Sequence, residues 1–170
     1  QAFKELVAHE VGHALGLPHN WKASLASRRE DVLAGRCSGI CDGRIMSSSV
    51  MDYNPIYLAP KGVPQAHYVL NAVGPYDHLT IEYLYRPLDG LSPNEEAKAL
   101  DAIAARAETQ PGLVYDDGSL TGIDPTTGSD DFGDDPLAFA ESRLTMLHEE
   151  VLARLPQLVL AEGYDYTAIP

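Results

Sequence analysis

The sequence predicts a mainly α-helical protein. Three stretches of the 170 residues carry apolar side chains three or four positions apart, the spacing of a helix: residues 2–15, 92–110 and 136–155. A shorter helix is expected over residues 75–85. Alternating apolar and polar residues, which would indicate strands, are few. Helices are therefore expected to dominate the fold.

The first helix is expected to run from Ala2 to Leu15. It contains no proline, and apolar residues cover almost its whole circumference, which is typical of a buried helix. Gly16 is expected to end it, because glycine adopts a left-handed backbone conformation without a Cβ clash. Pro18 then disfavours resumption of the same helix.

The middle of the chain, residues 21–73, is expected to be mostly irregular. Short helical pieces are expected in residues 21–46, and the prolines of residues 54–73 favour a loop.

Cys37 and Cys41 lie in a glycine-rich loop. Turn residues surround both, so we expect a small-loop disulfide formed in an oxidising compartment, with two free thiols as the alternative.

Helix start signals recur in the second half. Ser92-Pro93-Asn94-Glu95 forms a capping box with proline at the first helical position, and that helix should end before Pro111. Asp135 and Pro136 open the last helix, which Pro156 should kink or end. The second half is thus expected to contain two amphipathic helices.

Between these helices lies an acidic loop, residues 116–135, with seven aspartates. Clustered carboxylates on a glycine-rich loop suit Ca²⁺, but their spacing does not match an EF-hand. A solvated acidic loop is the simpler interpretation.

The formal net charge of the chain is −13, and nearly all of the excess negative charge lies after residue 85. This charge argues against nucleic acid or an anionic membrane as partner. No apolar run is long enough to predict a membrane span.

Three histidines and a glutamate lie close together in HEVGHALGLPH, residues 9–19. His9 and His13 are one helical turn apart, so both rings project from one face and can reach one metal ion. His19 follows the turn and can supply a third nitrogen. Three protein ligands leave the fourth position of zinc open, as in catalytic zinc sites. Glu10 is placed to take a proton from a zinc-activated water.

The full pattern H-E-x-x-H-x-x-G-x-x-H is far more specific than H-E-x-x-H, which also occurs by chance in ordinary helices. The segment SSSVMDYNP, residues 47–55, resembles the Met-turn of metzincin peptidases, and GPYDHLTIEYLY, residues 74–85, resembles the helix that follows it. Together these segments most resemble the bacterial Met-zincin family of large secreted or periplasmic zinc-dependent metalloproteases. The resemblance is good over residues 1–87 and weaker beyond.

This resemblance implies a zinc endopeptidase that hydrolyses peptide bonds with metal-activated water. It makes the three histidines the zinc ligands and Glu10 the general base. Met51 would form the hydrophobic floor beneath the metal, and Tyr53 would reach the zinc or the oxyanion that forms in the reaction. From the residues alone, Met51 is equally an ordinary core methionine, and Tyr53 an aromatic packing residue.

The same resemblance predicts the C-terminal, lower part of a metzincin-like catalytic domain. Residues 1–87 would form the zinc-site region and residues 88–170 an acidic helical extension. In metzincins a β-sheet that binds the substrate precedes the active-site helix. This chain lacks that sheet, so we expect a fragment of a larger secreted or periplasmic bacterial protease, with the upstream polypeptide as its partner.

In metzincins the segment after the Met-turn also forms a wall of the pocket for the substrate side chain just past the scissile bond. The substrate would be a peptide or protein.

Two alternatives to a peptidase stay open. The first is a non-catalytic zinc-binding module or inactive fragment, and the second is a zinc hydrolase that acts on other substrates. The presence of Glu10 favours an enzyme, because a site without turnover needs no base.

Overall fold

The computed structural model describes residues 2–28, 30–31, 46–65, 68–70, 72–110 and 112–156. Cys37 and Cys41 lie outside these residues, so the expected disulfide stays a prediction. The described residues form helices joined by turns and irregular segments, and no strand occurs among them. The prediction of a mainly α fold is confirmed.

Five α-helices occur in the described part of the chain: α1 (Ala2–Ala14), α2 (Pro75–Tyr85), α3 (Pro93–Ala104), α4 (Arg106–Thr109) and α5 (Pro136–Met146). A 3-10 turn, Ala23–Ala26, follows α1, and a π-helical turn, Leu147–Leu152, continues α5. None of these helices has the length and apolar composition needed to cross a membrane.

Two helix starts follow the sequence signals, whereas α5 ends at Met146, well before Pro156. Ser92 and Glu95 form the expected capping box, in which the Ser92 N–H donates to a Glu95 carboxylate oxygen at 2.9 Å. Asp135 caps α5 by accepting the N–H of Ala138 at 2.9 Å. The single helix expected over residues 92–110 is instead divided at Ala105, where the backbone tightens towards 3-10 geometry (φ −59°, ψ −17°).

Buried apolar side chains form three separate clusters in the described residues. The first cluster joins the chain on either side of the Met-turn (residues 49–53) to the acidic loop and α5. The second cluster lies under α1, and the third joins α2 to α3. Their members are Met46, Tyr57, Phe132 and Phe139 in the first, Leu17, Val50, Met51 and Leu70 in the second, and Leu79, Ile103 and Leu113 in the third. The first and third clusters connect residues before and after position 87, so the two predicted regions pack together. Their division into domains stays a prediction.

The apolar surface of α1 is only partly covered. His9 and Gly12 are its buried residues, whereas Phe3 is 78% exposed and Val7 and Val11 are also exposed. The expectation of a buried helix is therefore wrong for this side of α1, because the described residues leave it open to solvent. The buried side faces the Met-turn (residues 49–53), which fixes the position of the histidines.

The apolar stripe of the last helix is also exposed. Leu137 is 71% and Leu144 66% exposed, while Ala138 and Phe139 are the buried residues of α5. The spacing of apolar residues therefore predicts the helix but not its buried side. Phe139 is the residue of α5 that belongs to the first cluster.

Candidate metal centre

Helix α1 and the turn after it bring three histidines together. The ring centroid of His13 lies 4.7 Å from that of His9 and 4.7 Å from that of His19, and His9 and His19 are 5.2 Å apart. One ligand atom from each ring lies within 4.8 Å of the other two. In the described part of the chain this is the one group of histidine, cysteine or acidic side chains that could hold a metal ion.

Backbone carbonyls orient two of these rings. The Nδ1 atom of buried His9 lies 2.7 Å from the carbonyl oxygen of Val50, and Nδ1 of His13 lies 2.9 Å from that of Leu17. These contacts assign the ring proton to Nδ1, which leaves Nε2 free to bind a metal. The Nε2 atoms of His13 and His19 are 3.2 Å apart and face a shared space. This donor set fits zinc.

The electrostatics of the site also suit a metal. Burial, followed by the neighbouring His13 and His9, lowers the pKa of His19, while the negative charge of Glu10 raises it. Metals bind the neutral imidazole, so a lowered pKa keeps this ring available near neutral pH. Glu10 follows His9 directly in α1, and its side chain is exposed.

Met51 lies directly against the histidine-bearing helix. Its side chain is fully buried, and a Cβ added to Gly12 would lie only 2.2 Å from its sulfur. Gly12 lies between His9 and His13 in α1. The Met51 carbonyl also accepts the N–H of Asn20 at 3.0 Å, next to the third histidine. Met51 thus contacts both segments that carry the candidate ligands.

We expect Gly12→Ala to lower the free energy of unfolding by about 1–3 kcal/mol, although alanine has the higher helix propensity, because the new methyl group overlaps the Met51 sulfur. Chemical denaturation measures the change. Gly128→Ala is the matched control, since the nearest atom to its new Cβ would be 3.8 Å away. Equal stability of the two variants would contradict the tight packing of Met51 on α1.

Tyr53 packs among the rings of the site. Its ring centroid lies 4.6 Å from that of His19 and 5.4 Å from that of His9, and the ring of Trp21 lies 5.1 Å away. Tyr53 is 48% exposed, so it is not a core residue. Its predicted role towards zinc or the oxyanion stays a prediction. Sequence reasoning missed Trp21, for which the position two residues after His19 is the available signal.

Asn20 anchors the loop that carries the third histidine. Its buried side-chain amide donates to the Val114 carbonyl at 3.0 Å, across 94 positions of sequence, and its side-chain oxygen accepts the N–H of Asp116 at 3.2 Å. The N–H of Trp21 donates to the Asp116 carbonyl at 2.8 Å. Sequence reasoning did not find this role, because no local pattern links Asn20 to the acidic loop.

The acidic loop therefore packs against the segments that carry the third histidine and Tyr53. Asp116 and Phe132 are buried, and the N–H of Asp130 donates to the Tyr53 carbonyl at 2.9 Å. The interpretation of a solvated loop is wrong for Asp116 and Phe132, which are buried. It holds for the exposed side chains of Asp117, Asp130 and Asp134. The carboxylates described by the structure form no group able to hold a metal, so the structure does not support a calcium site.

Asp77 ties α2 to the Met-turn. Its buried carboxylate accepts the N–H of Val50 at 3.0 Å, the N–H of Gly74 at 2.7 Å and the hydroxyl of Ser49 at 2.5 Å. Val50 is also the residue whose carbonyl orients the ring of His9. Asp77 thus helps to position the ring of His9, because both residues are hydrogen-bonded to the backbone of Val50.

Asp52 is a second buried acid near the site. Its carboxylate accepts the N–H of Ser24 at 3.1 Å. Burial, together with the negative charge of Asp131, raises the pKa of Asp52 from its ordinary 3.8 to about 8. The folded protein therefore holds a proton on Asp52 at neutral pH.

This proton makes stability depend on pH. Between pH 3.8 and about 8 the unfolded chain has released the proton that the folded protein keeps, so Asp52 lowers the free energy of unfolding as pH rises through this window. Asp52→Asn imitates the protonated acid and should gain stability relative to wild type at pH 8 compared with pH 5. Denaturant titrations at both pH values measure this difference. Asp89→Asn, at an exposed position, should show no such gain. Parallel pH dependences of wild type and Asp52→Asn would contradict a buried neutral acid.

A family model described as Met-zincin matches residues 1–169, so the chain belongs to the Met-zincin family. This match confirms the resemblance seen in the motifs and extends through the acidic loop and α5, where the motifs were weaker. Membership supports a zinc metallopeptidase-like function. No curated protein and no solved structure matched the chain.

Proposed function

We propose that the protein is a zinc endopeptidase that hydrolyses peptide bonds with Glu10 as the general base. One observation carries the proposal: His9, His13 and His19 converge on one site, and Glu10 follows His9 in α1, in a chain of the Met-zincin family. The buried methionine and the carbonyl-oriented rings support it, because they hold the donors in place before any metal binds.

A bound zinc ion supplies Lewis-acid chemistry, lowering the pKa of a water molecule and polarising the substrate carbonyl. The carbonyls of Val50 and Leu17 keep the rings of His9 and His13 oriented with Nε2 towards the metal. The carboxylate of Glu10 accepts the proton of the attacking water and delivers it to the leaving amine nitrogen.

Tyr53 is proposed to donate its hydroxyl to the carbonyl oxygen that gains negative charge during attack. Its ring contacts with His9 and His19, together with its exposure to solvent, support this role. A donor aimed at that oxygen stabilises the transition state more than the bound substrate. The ring of Trp21 packs edge-to-face against that of Tyr53.

A peptide-library cleavage assay tests the proposal. Zinc-loaded protein that includes the upstream polypeptide should cleave peptides internally, lose activity when a chelator removes the metal, and recover it when zinc is restored. Mass spectrometry of the products identifies the bonds cut. A zinc-loaded protein that cleaves no peptide, or that hydrolyses only esters, would contradict the proposal.

A further inference from the structure

A pocket of about 330 Å³ lies between α1 and the segment that follows the Met-turn. Glu5 and Ala8 line it from α1, and Val50 and Leu70 line it from the opposite side. Ala8 immediately precedes His9, and the Val50 carbonyl lies 2.7 Å from the ring nitrogen of His9. The pocket is therefore lined by the residue that precedes His9 and by the residue whose carbonyl orients the His9 ring.

The lining combines apolar walls with a carboxyl group. Alanine, valine and leucine side chains form the walls, and the charged residues of the lining are Lys4 and Glu5. Glu5 is half-buried, and its carboxyl accepts the backbone N–H of Leu70. Lys4 is exposed, so water can screen its charge from the pocket. A half-buried carboxyl on apolar walls suits a ligand with an aliphatic stem and a cationic end.

We propose that Glu5 makes this pocket selective for a lysine or arginine side chain in the residue that follows the scissile bond. The inference rests on the proposed function. The apolar walls would hold the aliphatic stem while the Glu5 carboxylate binds the charged tip. Burial raises the pKa of Glu5 to about 7, and an arriving cation relieves the cost of ionising it there. The net charge of −13 also favours a basic peptide.

Three matched peptides test this selectivity. They are identical except at the residue after the scissile bond, which is lysine, norleucine or glutamate. Wild-type zinc-loaded protein should cleave the lysine peptide with a kcat/KM about tenfold or more above that of the norleucine peptide, the usual size of a hydrogen bond to a charged group. Mass spectrometry should place the cut immediately before the lysine.

Glu5→Gln should remove most of this lysine preference. It should leave the zinc content close to wild type, because the three histidines are unchanged. Glu108→Gln is the matched control: it makes the same charge change at an exposed position in α4 and should keep the wild-type preference. A loss of preference in both variants would indicate an effect of net charge and would overturn the role of Glu5.

Three further outcomes show whether the role of Glu5 fails alone or together with the proposed function. Cleavage of the peptides with an unchanged lysine preference in Glu5→Gln, or a wild-type preference for norleucine, would overturn the role of Glu5 and leave the peptidase intact. No cleavage of any of the three peptides by the zinc-loaded wild type would overturn the proposed function, and the selectivity with it.

Discussion

Glu10→Gln is expected to lower kcat by about 10²–10⁴-fold, the usual contribution of a general base, while the protein keeps its zinc. Glutamine has nearly the shape of glutamate but accepts no proton at neutral pH. The three histidines that would bind the metal are unchanged by this substitution, so zinc affinity should stay close to wild type. Steady-state kinetics beside metal analysis of the same preparation measure both quantities.

The control for this variant is Glu96→Gln, which removes the same charge from an exposed position in α3. It should retain wild-type kcat. Wild-type turnover in Glu10→Gln would show that another group takes the proton. Loss of zinc together with activity would show instead that Glu10 holds the metal.

His9→Ala is expected to abolish zinc binding and, with it, all peptidase activity. His9 is the most buried of the three histidines, and its loss leaves two imidazoles and an unsatisfied Val50 carbonyl. Zinc binds only the folded site, so zinc at about 1,000 times its Kd should raise the free energy of unfolding of wild type by about 4 kcal/mol. The variant should show no zinc-dependent increase.

His148→Ala is the matched control, because this histidine is exposed in the turn after α5 and far along the chain from the motif. It should bind zinc and gain stability from it as wild type does. One equivalent of tightly bound zinc in His9→Ala would contradict the assignment of His9 as a ligand.

Local features of the site could be predicted from the sequence. The four-residue spacing of His9 and His13 fixes both rings on one face of any α-helix, whatever the surroundings. Gly16 ends the motif helix with the expected left-handed conformation, at a φ of 89°. The capping box at Ser92 and the Asp135 cap predict the starts of α3 and α5 correctly, because hydrogen bonds of this kind depend only on residues within one turn.

Long-range features could not be predicted in the same way. The hydrogen bonds from Asn20 to Val114 and from Asp77 to Val50 join distant segments, and nothing local marks these partners. The buried side of α5 cannot be predicted either, because apolar spacing gives the period of a helix but not what packs against it. For the same reason the sequence does not mark Asp116 and Phe132 as the buried residues of the acidic loop.

X-ray absorption of the zinc-loaded protein shows whether the three histidines hold the metal, because it reports the atoms bound to zinc. We expect one zinc per chain, with three imidazole nitrogens at about 2.0–2.1 Å and one further light ligand. The same spectrum for His9→Ala should show no bound zinc in this environment. Sulfur ligands, a site made of carboxylates, or a spectrum unchanged by His9→Ala would contradict a metal centre built from His9, His13 and His19.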